Sequence, residues 1–214
     1  MNQKSMFVGA AAVLVVGFVG ASMLFNASKS GGSASPAAMV TLDRPHAPSL
    51  GEADAPVVIA EFLDPACETC AVFYPAVKDM MAANPGRIRL VLRWAPFHTG
   101  AQDVVALLEA ARRQGQFWPA LERLLATQSQ WAINHTADVS LAWQQLGGLG
   151  LDRDRIQADM SSPEVQQIIQ QDIAHAAANN VQATPEYFVN GRPLPTWGWD
   201  QLVTLVNEEL ARTR

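Results

Sequence analysis

Residues 55–75 read APVVIAEFLDPACETCAVFYP and contain the only two cysteines of a 214-residue chain, Cys67 and Cys70. Residues 55–63 form a short apolar run rich in β-branched side chains, the pattern of a buried parallel strand. Pro65 and Ala66 then turn the chain. From about Glu68 to Ala83 the apolar positions Val72, Phe73, Ala76, Val77, Met80 and Met81 recur at helical spacing, and Asn84-Pro85-Gly86 ends the pattern. This order puts Cys67 at a helix N-terminus, where unpaired backbone N–H groups and the positive end of the helix dipole stabilise an anionic sulfur. The thiol is expected to ionise readily. Cys70 falls one turn further along the same face, within reach of a disulfide.

At 49% apolar and 16% charged residues the chain can bury a core. Its first 35 residues stand apart. Lys4 precedes MFVGAAAVLVVGFVGASMLF, residues 6–25, which carries no charge and is long enough to span a bilayer core. A Ser-, Gly- and Ala-rich stretch follows, with the composition of a flexible tether. Residues 1–35 are thus expected to be a signal anchor or signal peptide plus tether, with the folded domain over residues 39–214. Two readings compete: an uncleaved anchor, or cleavage after Val19-Gly20-Ala21. In both the positive end stays in the cytoplasm and the rest is exported. Beyond residue 35 the chain holds 13 basic and 20 acidic side chains, a net charge of −7, with a single lysine, Lys78, and scattered arginines. That excludes a phosphate-backbone partner, so no nucleic acid is expected.

An isolated C-x-x-C pair in an exported chain leaves three chemistries open: a structural disulfide, half a zinc site, or a redox couple. So small a loop restrains the unfolded chain little. Zinc calls for four ligands, and no second C-x-x-C or H-x-x-x-H completes a set. Carriage of copper(I) between soft thiolates is a binding-class rival, weakened because no methionine or histidine flanks the pair closely. No metal and no cofactor is expected.

Helical patterns follow at residues 101–127, 137–147, 152–160 and 163–180, the last opened by Ser162-Pro163-Glu164. Then PEYFV, residues 185–189, reads as a strand, Asn190-Gly191 as a turn, and residues 200–212 as a closing helix.

Four segments together, EFLDPACETC at 61–70, RLVLRWAPFH at 89–98, the helical stretch after it and VQATPEYFVNG at 181–191, resemble the DsbA-type thiol:disulfide oxidoreductases of the thioredoxin-fold superfamily, DsbG and BdbD among them. The resemblance covers about residues 46–212. It implies an α/β class, a thioredoxin fold with an all-α subdomain inserted over about residues 99–171. It also implies a cis proline facing the cysteine pair, here Pro185, preceded by Thr184, whose backbone meets a substrate strand. Glu61 stands at the offset of a buried glutamate that relays a proton to Cys70. His98 lies near the site by the same resemblance, whereas His46, His135 and His175 have no identifiable partners.

The expected activity is disulfide exchange in exported thiol-containing or unfolded proteins. Cys67 is the attacking or attacked sulfur, Cys70 its partner, and Glu68 and Thr69 between them line the substrate side. A dithiol oxidase served by a DsbB-like membrane partner is the first reading. A disulfide isomerase or reductase served by a DsbD-like partner uses the same residues. The implied compartment is the bacterial periplasm, with residues 6–25 in the inner membrane or removed. Glu68 is expected to oppose ionisation of Cys67 through its charge.

Overall fold

The computed structural model describes residues 42–213. Residues 6–25, read above as a membrane or signal segment, lie outside them. Among the described residues no helix is long and apolar enough to cross a membrane.

The apolar run forms β2 (Val57–Leu63), preceded by a short β1 (Ser49–Leu50) that the sequence pattern does not announce. Helix α1 (Glu68–Ala83) follows and carries Pro75 inside it, and β3 (Ile88–Trp94) returns parallel to β2 in the register Val57↔Ile88 to Leu63↔Trp94. Strands β6 (Glu186–Val189) and β7 (Arg192–Pro193) complete a sheet of order β1-β3-β2-β6-β7, with β6 antiparallel to β2. The turn between β6 and β7 has positive φ at both Asn190 and Gly191, as a tight hairpin requires.

Between β3 and β6 run α2 (Ala101–Arg113), α3 (Phe117–Ala126), a 3-10 turn (Gln128–Gln130), α4 (Val139–Gln145), α5 (Arg153–Met160) and α6 (Pro163–Ala178). A hairpin of two-residue strands, β4 (Ala132–Ile133) and β5 (Thr136–Ala137), interrupts them, with strands too short to show alternation in the sequence. Helix α7 (Trp199–Arg212) ends the fold. Local chemistry explains the boundaries. Asp138, Asp152 and Ser162 each cap a helix by accepting a hydrogen bond from its first-turn N–H groups, and Pro163 occupies the first helical turn.

Strand alternation divides the core in two. Val57, Ile59 and Leu63 face α1 and α2, while Ala60 and Phe62 pack with Leu42, Ala176 and Phe188 on the other side. On that second side the buried Arg93 pairs with the buried Asp172 of α6, whose Oδ1 also meets His46 Nε2 at 3.2 Å, while His175 Nδ1 lies 3.1 Å from Arg93. Two histidines without evident partners in the sequence therefore belong to a buried ion-pair network that ties the start of the described chain to α6.

Candidate active site

Cys67 is the N-cap of α1, with extended backbone angles, φ −81° and ψ 120°. Its carbonyl accepts the first helical hydrogen bond from Ala71 N, which leaves the N–H groups of the first turn without helical partners. Cys67 is 6% exposed and Cys70 is fully buried, and the two thiols are unbonded. The Cys67 thiol is pulled down to about 5, chiefly by a hydrogen bond from the Cys70 thiol. Burial opposes this, and the Thr184 side chain and the N–H groups of Cys70 and Thr69 add to it. Cys70 moves the other way. Burial raises its pKa, as do its hydrogen bond to Cys67 and the charges of Glu61 and Cys67. One sulfur is thus prepared to be an anion and the other to hold a proton.

The Thr184–Pro185 peptide bond is cis, and the Cys67 thiol donates to the Thr184 carbonyl across 3.2 Å. Thr184 is half-buried and Pro185 buried. Beside them Trp197 is exposed; its indole N–H donates to the Pro185 carbonyl at 3.0 Å, and its ring stacks on Phe73 of α1 at 5.6 Å. Most of the tryptophans pack inward, and Trp197 forms an apolar rim beside Thr184 and Pro185.

Alternation from the cysteines could not give the face of Glu61. The structure puts it on the cysteine side with Ile59 and Leu63, directly across from Tyr187, whose hydroxyl donates to Oε1 at 3.1 Å. Glu61 is fully buried and Oε2 has no hydrogen-bond partner. Burial drives its carboxyl from 4.5 up to about 8; the Tyr187 hydroxyl pulls down and the nearby Cys67 charge pushes up. Glu61 is therefore a neutral, proton-bearing carboxyl near neutral pH, in a position where its charge acts on Cys70.

Two polar residues that sequence reasoning passed over hold the cysteine turn. Buried Asp64 accepts from Ala66 N at 2.8 Å, Phe97 N at 2.7 Å, and His98 N and Nδ1 at 2.8 Å each. Its own carbonyl accepts from Cys67 N at 3.1 Å. One carboxylate thus joins the turn before Cys67 to the loop after β3. Its sequence signal was an Asp immediately before a Pro at a strand end, a common turn former. Gln128, 61 residues from Cys67 and also buried, donates through Nε2 to the carbonyls of Pro65 at 2.8 Å and Cys67 at 3.0 Å. Nothing local in the sequence marks it.

Thr69 is half-buried and Glu68 exposed. The Glu68 carboxylate lies 3.6 Å from His135 Nδ1. His98 does lie at the site, stacked on His135 with ring centroids 5.6 Å apart.

Comparison with known proteins identifies the family and the fold. A family model described as Thioredoxin matches residues 43–208. A probable disulfide bond formation protein D of Bacillus anthracis is 29% identical over 175 residues, covering 77% of this chain and 78% of that protein. The crystal structure of a thioredoxin-like oxidoreductase from Silicibacter pomeroyi superposes with a TM-score of 0.69 at 26% identity, covering 82% of this chain and 98% of that one. Oxidised BdbD from Bacillus subtilis shares the fold, with a TM-score of 0.67 at 21% identity over 77% of this chain and 93% of that one. Residues of this chain also match part of the Na(+)/H(+) antiporter NhaA of Herminiimonas arsenicoxydans at 33% identity over 144 residues, 67% of this chain. The chain spans only 22% of that antiporter's length, and ion exchange is said of the longer protein. With a family match over residues 43–208, most of its length, the chain belongs to the thioredoxin family.

Proposed function

We propose that the chain is an exported dithiol oxidase whose disulfide state accepts electrons from cysteine pairs in thiol-containing protein substrates. The observation that carries this reading is the placement of Cys67: at the helix N-terminus, against Thr184, with Cys70 sealed behind it. Groups that favour an anionic Cys67 stabilise the reduced form and so make the disulfide oxidising.

In the oxidised protein a substrate thiolate attacks Cys67, forming the mixed disulfide and breaking the Cys67–Cys70 bond. Cys70 leaves as a buried thiolate, an unfavourable species, and takes the proton that Glu61 carries. A second substrate thiolate then attacks the substrate sulfur of the mixed disulfide. It releases Cys67 as the stabilised thiolate and the substrate as a disulfide. Thr184 and Pro185, with Trp197 beside them, receive the substrate backbone, and Glu68 and Thr69 border the approach. A membrane partner of DsbB-like chemistry reoxidises the dithiol. Residues 6–25 hold the protein at the inner membrane, facing the periplasm, which raises the effective concentration of such a partner. The uncharged length of that segment and the tether behind it support this placement.

Equilibration with glutathione tests the direction. An oxidase is expected to have a reduction potential above about −180 mV, whereas a value near the roughly −270 mV of thioredoxin would make the protein a reductase.

A further inference from the structure

Three side chains from separate parts of the chain meet beside the dithiol. Glu68 opens α1, His98 lies in the loop after β3, and His135 sits at the tip of the β4–β5 hairpin. One donor atom from each lies within 4.8 Å of the others. The sequence offered no zinc pattern because these residues are not clustered along it. We propose that Glu68, His98 and His135 form a binding site for a borderline divalent cation of the Zn²⁺ class, with an open coordination position at the substrate edge of the dithiol.

The donor set decides the class of ion. Two imidazoles and one carboxylate are the three-ligand set of open zinc sites, whereas calcium and magnesium call for oxygen alone. The arrangement is also held from behind. The Nδ1 of His98 is bonded to buried Asp64 at 2.8 Å, which fixes the ring and leaves Nε2 with the lone pair. A carboxylate on the far nitrogen of a metal-binding histidine is the usual supporting contact of such sites.

His135 is brought in by the hairpin. Ala137 N donates to the Thr99 carbonyl at 2.8 Å, and Thr99 and Thr136 form a bridge. Gly100 makes that contact possible: at φ +76° it sits where a Cβ would come within 2.2 Å of the Ala137 carbonyl oxygen. Asn134 and His135 take the two positive-φ positions of the tight turn, which points to a specified geometry rather than a loose tip. The side chains of Glu68 and His135 are 61% and 72% exposed, so both can rotate to close donor spacings to the roughly 3.4 Å that bonds of about 2.1 Å require in a tetrahedron. Cys67 and Cys70 are not members of the cluster, so bound ion and disulfide can coexist.

The test uses the untagged full chain in its oxidised form, so that the sulfurs are in the disulfide and cannot ligate, titrated with Zn²⁺ by calorimetry. One ion per chain is expected. His98→Ala and His135→Ala should each weaken binding by about 10-fold or more. Because His135 is exposed, that variant keeps its fold, which circular dichroism checks. Co²⁺ in place of Zn²⁺ should give the visible absorption of a four-coordinate site, lost in both histidine variants. Absence of binding to the oxidised chain, binding that appears only on reduction, or unchanged affinity in both histidine variants would each overturn the assignment.

Discussion

Replacing Glu61 with glutamine should make the reduced protein more stable relative to wild type as pH rises, and the size of the effect follows from burial. The Glu61 carboxyl is raised from 4.5 to about 8. Over the interval between those values the unfolded chain has lost a proton that the folded chain keeps. Because the folded value is the higher one, the stability this proton represents is complete below about pH 4.5 and is lost as pH climbs to about 8. At about 1.4 kcal/mol per unit, the loss reaches about 3 kcal/mol near pH 7 and about 5 kcal/mol above pH 8. Glutamine cannot ionise and escapes it. The buried amide carries a constant penalty of about 1–3 kcal/mol for polar atoms without full partners. That penalty shifts the curve without altering its slope, so the slope is the diagnostic quantity. Urea unfolding of the two reduced proteins at several pH values measures it. The difference should grow towards the variant by about 1 kcal/mol per unit through the neutral range. In the oxidised chain, where no Cys67 thiolate pushes Glu61 upward, the growth should end at lower pH. A difference that does not change with pH would mean that Glu61 titrates like an exposed carboxyl and does not hold a proton for Cys70.

The ultraviolet thiolate absorbance of the reduced protein should titrate with a midpoint of about 5, against about 8.5 for an ordinary cysteine; a midpoint above about 7.5 would contradict the stabilised anion. Gly100→Ala, which forces a Cβ against the Ala137 carbonyl at positive φ, should cost at least about 2 kcal/mol in denaturant unfolding, and an unchanged midpoint would mean the hairpin does not pack there. Gln128→Ala removes a donor shared by the carbonyls of Pro65 and Cys67 and should destabilise the protein by about 1–3 kcal/mol, again read from unfolding; no loss would show that the cysteine turn stands without it.

Local physics made the centre of the fold legible. The β-branched run before Asp64, the helical spacing from Glu68 to Ala83 and the Asn190-Gly191 turn each depend on neighbours a few residues away, and the strands and helices they imply are present. The short strands β1, β4, β5 and β7 were not legible, because two residues are too few to display alternation. Glu61 shows the same limit at the site. Alternation within β2 groups it with Ile59 and Leu63, but which face meets α1 depends on how the chain returns after Pro65. Asp64 acts on residues 33 and 34 positions away and Gln128 on Cys67 from 61 away, so neither role leaves a local mark. The meeting of His98 with His135 depends on a hairpin whose turn uses Asn134 and His135 at positive φ, without the glycine that announces the turn at Asn190.

The division of labour between the two sulfurs is the centre of the account, and trapping with a disulfide-bonded peptide tests it most directly. Cys70→Ser retains the thiol that faces Thr184 and lacks the one that resolves its adducts, whereas Cys67→Ser retains only the fully buried sulfur with its raised pKa. Each variant is mixed with the peptide and the adduct located by peptide mass mapping. The account predicts a long-lived mixed disulfide on Cys67 in Cys70→Ser and almost none on Cys70 in Cys67→Ser. Comparable adducts in both variants, or faster capture by Cys70, would contradict it.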